Sequence, residues 1–115
     1  MKVSVIGLGY IGLPTAAVLA SNRVEVVGID VNQHAVDTIN RGEIHIVEPE
    51  LDILVRAAVQ TGLLKATMQA EKADAFMVAV PTPFKGDHEP DLSYIESAAR
   101  AIAPVLEKGN MVILE

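Results

Sequence analysis

Short apolar runs alternate along this chain with longer stretches in which apolar positions recur every three or four residues. That alternation of periods predicts strands exchanging with helices. Val3 to Ile6 reads as a buried strand stopped by Gly7. Tyr10 to Ser21 carries Ile11, Ala16, Val18 and Leu19 and reads as a helix. Pro14 falls in its first turn, where a missing N–H breaks no bond. Val24 to Ile29 is a second strand ending at Asp30. Asn32 is suited to cap a helix running to about Asn40 and closed by Arg41-Gly42. Residues 43–49 connect to a third helix, from Pro49 to about Gln60. Leu63 to Thr67 and Ala75 to Val80 give a third and a fourth strand, and residues 81–90 a loop. A last helix is expected over Leu92 to Leu106, and a fifth strand over Met111 to Leu114.

Strands that alternate with helices imply a parallel sheet with right-handed crossovers. The expectation is an α/β, Rossmann-type doubly wound sheet of strand order 3-2-1-4-5, one domain over residues 1–115 that is cut short after strand 5. Its ligand crevice would lie beyond the carboxyl ends of strands 1 and 4. Gly7-Leu8-Gly9-Tyr10-Ile11-Gly12 fits the G-x-G-x-x-G pattern at the first such end. In that pattern Gly7 permits the tight turn and Gly9 lets the backbone approach a pyrophosphate. Gly12 lets the helix pack closely, and the helix N-terminus offers amides to phosphate. Glycines also serve ordinary turns, but this hexapeptide follows a strand and opens a helix, as the motif requires. Asp30 ends the second strand 18 residues after Gly12, close to the spacing of the acid that accepts hydrogen bonds from the adenosine ribose. A carboxylate there would repel a 2′-phosphate, so NAD is expected over NADP.

Composition narrows the partners. Half of the 115 residues are apolar and only 3% aromatic, a core of Val, Ile, Leu and Ala suited to a parallel sheet. A net charge of −6 argues against nucleic acid or an anionic membrane as partner. There is no Cys, which excludes disulfides and thiolate metal sites within these residues. The first apolar run is too short for a signal peptide or a membrane span, and a cytoplasmic protein is expected. His34, His45 and His88 match no metal spacing. Lys85 to Glu89 reads as a solvated mixed-charge loop. Glu48 and Glu50 read as acids favoured at a helix start. Met68, Met77 and Met111 read as core or rim packing.

The fourth strand ends in Val78-Ala79-Val80-Pro81-Thr82-Pro83. Together with Gly7-Leu8-Gly9-Tyr10-Ile11-Gly12-Leu13-Pro14 it resembles the UDP-glucose/GDP-mannose dehydrogenase family, which oxidises nucleotide-sugar alcohols to acids with two NAD. Residues 30–49 and 80–91 resemble the bacterial branch acting on UDP-N-acetyl-D-mannosamine, and the likeness runs the length of the chain. It implies cofactor contacts at Tyr10 and Ile11, at Asp30 with Val31 beside it, and at Thr82 with Val80 and Pro81 before it. Some members carry a basic residue five positions past the ribose acid, where this chain has Ala35. The resemblance also implies a longer parent, with a Ser-Thr turn, a catalytic Cys, a Lys, an Asn and a sugar-binding domain beyond residue 115. These 115 residues alone would then bind the dinucleotide without turnover, since thioester chemistry needs a thiol. A homo-oligomer joined through strand 5 or the helix before it is a further expectation. Two other readings stay open at this point: a dehydrogenase of the hydroxyacid or 6-phosphogluconate type, and a non-catalytic nucleotide-sensing domain like those of ion channels.

Overall fold

The computed structural model describes residues 1–81 and 91–115, and between them only the backbone of residues 84–85 and 89–90. Strand β1 (Lys2–Ile6) leads through the glycine turn into helix α1 (Gly12–Ser21), strand β2 (Glu25–Ile29) and helices α2 (Gln33–Asn40) and α3 (Leu51–Gln60). Strands β3 (Leu64–Thr67) and β4 (Ala75–Val78) follow, then two short strands, β5 (Phe84–Lys85) and β6 (Glu89–Pro90). Helix α4 (Ser93–Ile102), a 3₁₀ turn and strand β7 (Met111–Leu114) complete the order. The five longer strands form one parallel sheet in the order β3-β2-β1-β4-β7, the doubly wound arrangement that the sequence predicts.

Side chains alternate across this sheet with period two. Val3, Val5, Val26 and Ala75 face one side, in a core shared with Leu13, Ala16 and Ala17 of α1, Val36 and Ile39 of α2, and Val55 of α3. Ile6, Val27, Ile29, Phe76 and Val78 face the other, against Ala98 and Ile102 of α4. Three helices therefore cover one face and α4 the other. The two outer edges are treated differently. At β3 the Asn40 amide donates to the Ala66 carbonyl at 2.9 Å and accepts from the Ala66 amide at 2.8 Å, so a side chain takes the place of a further strand. At β7 all four apolar side chains are exposed.

Several element ends differ from the sequence reading. Helix α1 starts at Gly12 rather than Tyr10, because residues 9–11 complete the turn. Helix α3 starts at Leu51 rather than Pro49, because Glu50 adopts the left-handed region (φ 65°), which no helix continues through. Glu50 is thus the residue before the helix, and the acid in its first turn is Asp52. Strand β4 stops at Val78, and Val80 and Pro81 leave the sheet. Helix α4 stops at Ile102, where Pro104 falls in a tighter turn, Ala103–Val105; a proline cannot supply the next helical N–H. Within the expected loop 81–90, β5 and β6 pair antiparallel, Phe84 opposite Pro90 and Lys85 opposite Glu89. No helix among the described residues is long and apolar enough to cross a membrane.

Candidate functional site

The carboxyl ends of β1, β2 and β4 open together into a cleft of about 550 Å³. It is lined by Gly7, Leu8, Gly9, Tyr10 and Ile11 from the glycine turn, by Asp30, Val31 and Asn32 after β2, and by Ala79, Val80 and Pro81 after β4. Tyr94 of α4 completes the wall. Of the cofactor contacts expected from the sequence that fall among the described residues, only Gly12 is not on this wall. Gly12 lies beneath it, and Thr82 falls outside the described residues.

Each glycine does separate work. Gly7 turns at φ 95°, and a side chain there would also meet the Ala79 carbonyl oxygen at 2.8 Å. At Gly12 an added Cβ would sit 1.7 Å from the Gly7 carbonyl oxygen, so α1 rests directly on the turn that introduces it. At Gly9 an added Cβ would meet nothing within 4 Å, which leaves open space over the backbone. The Gly7 amide donates to the Ile29 carbonyl at 2.7 Å, and the Leu13 amide donates to the Gly9 carbonyl at 3.1 Å. The amides of residues 9–12 find no acceptor among the described residues. They stand at the N-terminus of α1, where unpaired N–H groups and the helix dipole attract an anion.

Asp30 is anchored as well as exposed to the cleft. Its Oδ2 accepts from the Leu8 amide at 2.9 Å, and its Oδ1 accepts from the Asn32 amide at 2.9 Å. The capping of α2 falls to Asn32, whose side chain accepts from the Ala35 amide at 3.2 Å. Asp30 is the sole charged residue on the described wall. Each carboxylate oxygen has further acceptor capacity, so a vicinal diol could donate to it without displacing either amide. Ala35 is buried on the inner face of α2 and takes no part in the wall.

Leu8 and Tyr94 went unnoticed in the sequence. Leu8 occupies a free position of the glycine pattern, yet it is fully buried, over the bare Gly28 of β2. A Cβ on Gly28 would come within 2.7 Å of Leu8. Burying such a side chain stabilises by about 1.5–3 kcal/mol, so the turn is held from below by packing. The only advance signal was a glycine inside a strand, which often marks a close approach. Tyr94 could have been found from helical spacing, since Tyr94, Ala98 and Ile102 recur every fourth residue.

A larger recess, about 660 Å³, lies between α1 and α3, lined by Ala20, Arg23, Leu54 and Thr61 among others. It holds no glycine and no carboxylate among its lining residues, and it is remote from the strand ends where α/β sheets bind ligands. On the amino side of the sheet, Glu71 joins Lys65 at 3.1 Å and Lys2 at 3.4 Å. Partial burial works to raise its pKa, but the hydrogen bonds and charges of Lys65 and Lys2 outweigh that and hold it below the usual value.

The model of the UDP-glucose/GDP-mannose dehydrogenase family, NAD binding domain, matches residues 1–115. The chain belongs to that family. As its NAD binding domain, it is 70% identical over 113 residues to NDP-N-acetyl-D-galactosaminuronic acid dehydrogenase of Ralstonia nicotianae, covering 98% of this chain and 27% of that protein. It is 68% identical, with the same coverage, to UDP-N-acetyl-D-mannosamine dehydrogenase of Escherichia coli. Among solved structures, UDP-N-acetyl-mannosamine dehydrogenase of Staphylococcus aureus superposes with a TM-score of 0.97 at 41% identity, over 100% of this chain and 28% of that one. The NAD binding domain thus spans little more than a quarter of the length of these relatives. Its cofactor is NAD.

Proposed function

We propose that this domain holds NAD for a nucleotide-sugar dehydrogenase that oxidises UDP-N-acetyl-D-mannosamine to the corresponding uronic acid, consuming two NAD. The observation that carries the cofactor part is the pairing of free amides at residues 9–12 with the Asp30 carboxylate across one cleft. The pyrophosphate would sit over Gly9 on the amides of Tyr10, Ile11 and Gly12, and the adenosine ribose would donate its hydroxyls to Asp30 beside Val31. Val80, Pro81 and Thr82 would border the other half of the cofactor. The open space over Gly9 fits such a group. When bound, NAD supplies the hydride acceptor.

The sugar is proposed from the resemblance of residues 30–49 and 80–91 and from the relatives. Relatives at 70% and 68% identity carry names for different sugars, so the choice rests on residues beyond this domain. The nucleophile must also lie beyond it, since these residues contain no thiol. The 115-residue polypeptide is therefore expected to bind NAD and to show no NADH production with any UDP-sugar.

Calorimetry with both dinucleotides tests the reading. NAD should bind more tightly than NADP, because Asp30 would meet a 2′-phosphate with like charge. Equal or tighter NADP binding would refute the ribose assignment, and steady NADH production by these residues alone would refute the division of labour.

A further inference from the structure

We propose that Tyr94 grips the nicotinamide-riboside half of the dinucleotide, on the opposite flank of the glycine turn from Asp30. The inference deepens the proposed function and rests on it. In the sheet order, β2 and β4 stand on opposite sides of β1. A dinucleotide whose pyrophosphate lies on the turn after β1, and whose adenosine ribose lies at the end of β2, extends its other half over the end of β4. The cleft wall there is Val80, Pro81 and Tyr94.

The helix explains why a large side chain stands at that point. Positions 94, 98 and 102 recur at about one turn and share a face of α4. Ala98 and Ile102 are buried on the sheet. Tyr94 continues the same stripe one turn further, past the strand ends, where there is no sheet to cover it; it is 46% exposed and lines the cleft. A ring in that position offers a flat apolar face at little cost in side-chain freedom. Its hydroxyl hydrogen-bonds to none of the other described residues. The ring, rather than the hydroxyl, should carry the effect.

The test is a set of titrations of the whole polypeptide with NAD and with ADP, which keeps the adenosine half and both phosphates. Tyr94→Ala should weaken NAD about tenfold and leave ADP unchanged, and Tyr94→Phe should bind NAD like the parent sequence. Tyr94→Leu, which keeps an apolar residue on the stripe, serves if the alanine variant fails to fold, with the same expected split. Equal losses for NAD and ADP would make Tyr94 a scaffold residue and overturn the proposal, as would NAD binding indifferent to the ring. Failure of the parent sequence to bind either ligand would instead bring down the proposed function and this inference with it.

Discussion

The Asp30 carboxylate accepts the Leu8 amide at 2.9 Å, which ties the end of β2 to the middle of the glycine turn. The Gly7 amide already pairs with Ile29, so this bond carries the β1–β2 ladder one residue further by means of a side chain. Asp30 therefore shapes the turn whose amides would face the ligand, in addition to facing the ligand itself.

Replacing it should show both roles. Asp30→Ala removes two hydrogen bonds to a charged acceptor, and should lower stability by about 1–3 kcal/mol while weakening NAD and narrowing its advantage over NADP. Thermal melts and calorimetry on one preparation separate the two effects. Unchanged stability would mean that the Leu8 contact is incidental, and unchanged affinity would mean that Asp30 is no ribose ligand.

Glycines 9 and 12 should fail in opposite ways. Gly12→Ala drives a Cβ into the Gly7 carbonyl, and overpacking that only backbone movement can relieve costs about 1–3 kcal/mol or more. Gly9→Ala meets open space and should stay within about 0.5 kcal/mol of the parent, yet its methyl group would occupy the approach to the amides and reduce NAD affinity. Chemical denaturation and NAD titration of both variants check this, and a stable Gly12→Ala protein would contradict the geometry.

Glu71 sets a pH dependence on the far side of the sheet. Its pKa is lower folded than unfolded, so its contribution is present above the ordinary carboxylate range and is lost as pH falls through the depressed value. The three side chains are 28–59% exposed, so screening keeps the contribution below about 1 kcal/mol. Glu71→Gln should be slightly less stable at neutral pH and converge with the parent in acid or high salt. A stability gap that persists in acid would assign the effect to packing.

The open edge at β7 should make this polypeptide associate. Asn40 occupies the hydrogen-bonding groups of Ala66 at the β3 edge, whereas Met111 to Leu114 present an exposed apolar strand, which invites pairing. The net charge of −6 opposes association, so salt should promote it. Light scattering over a concentration series should show dimers or larger species, and Val112→Lys should return them to monomers. A parent sequence that stays monomeric at high concentration in salt would sink the idea.

The sheet order was legible because the central strands are short apolar runs and α2, α3 and α4 are longer amphipathic stretches. The glycine turn and Asp30 were legible because their spacing has a chemical reason. What escaped were features set by three-dimensional closeness. Leu8 looks like a free position until Gly28 is seen beneath it, Glu50 looks helical until its φ is known, and Asn40 looks like an ordinary helix end until it reaches Ala66. Tyr94 looks like one more surface aromatic until the sheet is seen to stop short of it.

One arrangement has an optical consequence. The chain has two tyrosines and no tryptophan, and Tyr10 and Tyr94 both lie on the cleft wall. In the tyrosine band, to the red of the phenylalanine bands, its near-ultraviolet dichroism should therefore originate at the cleft, from two chromophores on different elements. Spectra of Tyr10→Phe and Tyr94→Phe would assign each band, so that the protein's own absorption distinguishes events at the glycine turn from events at α4.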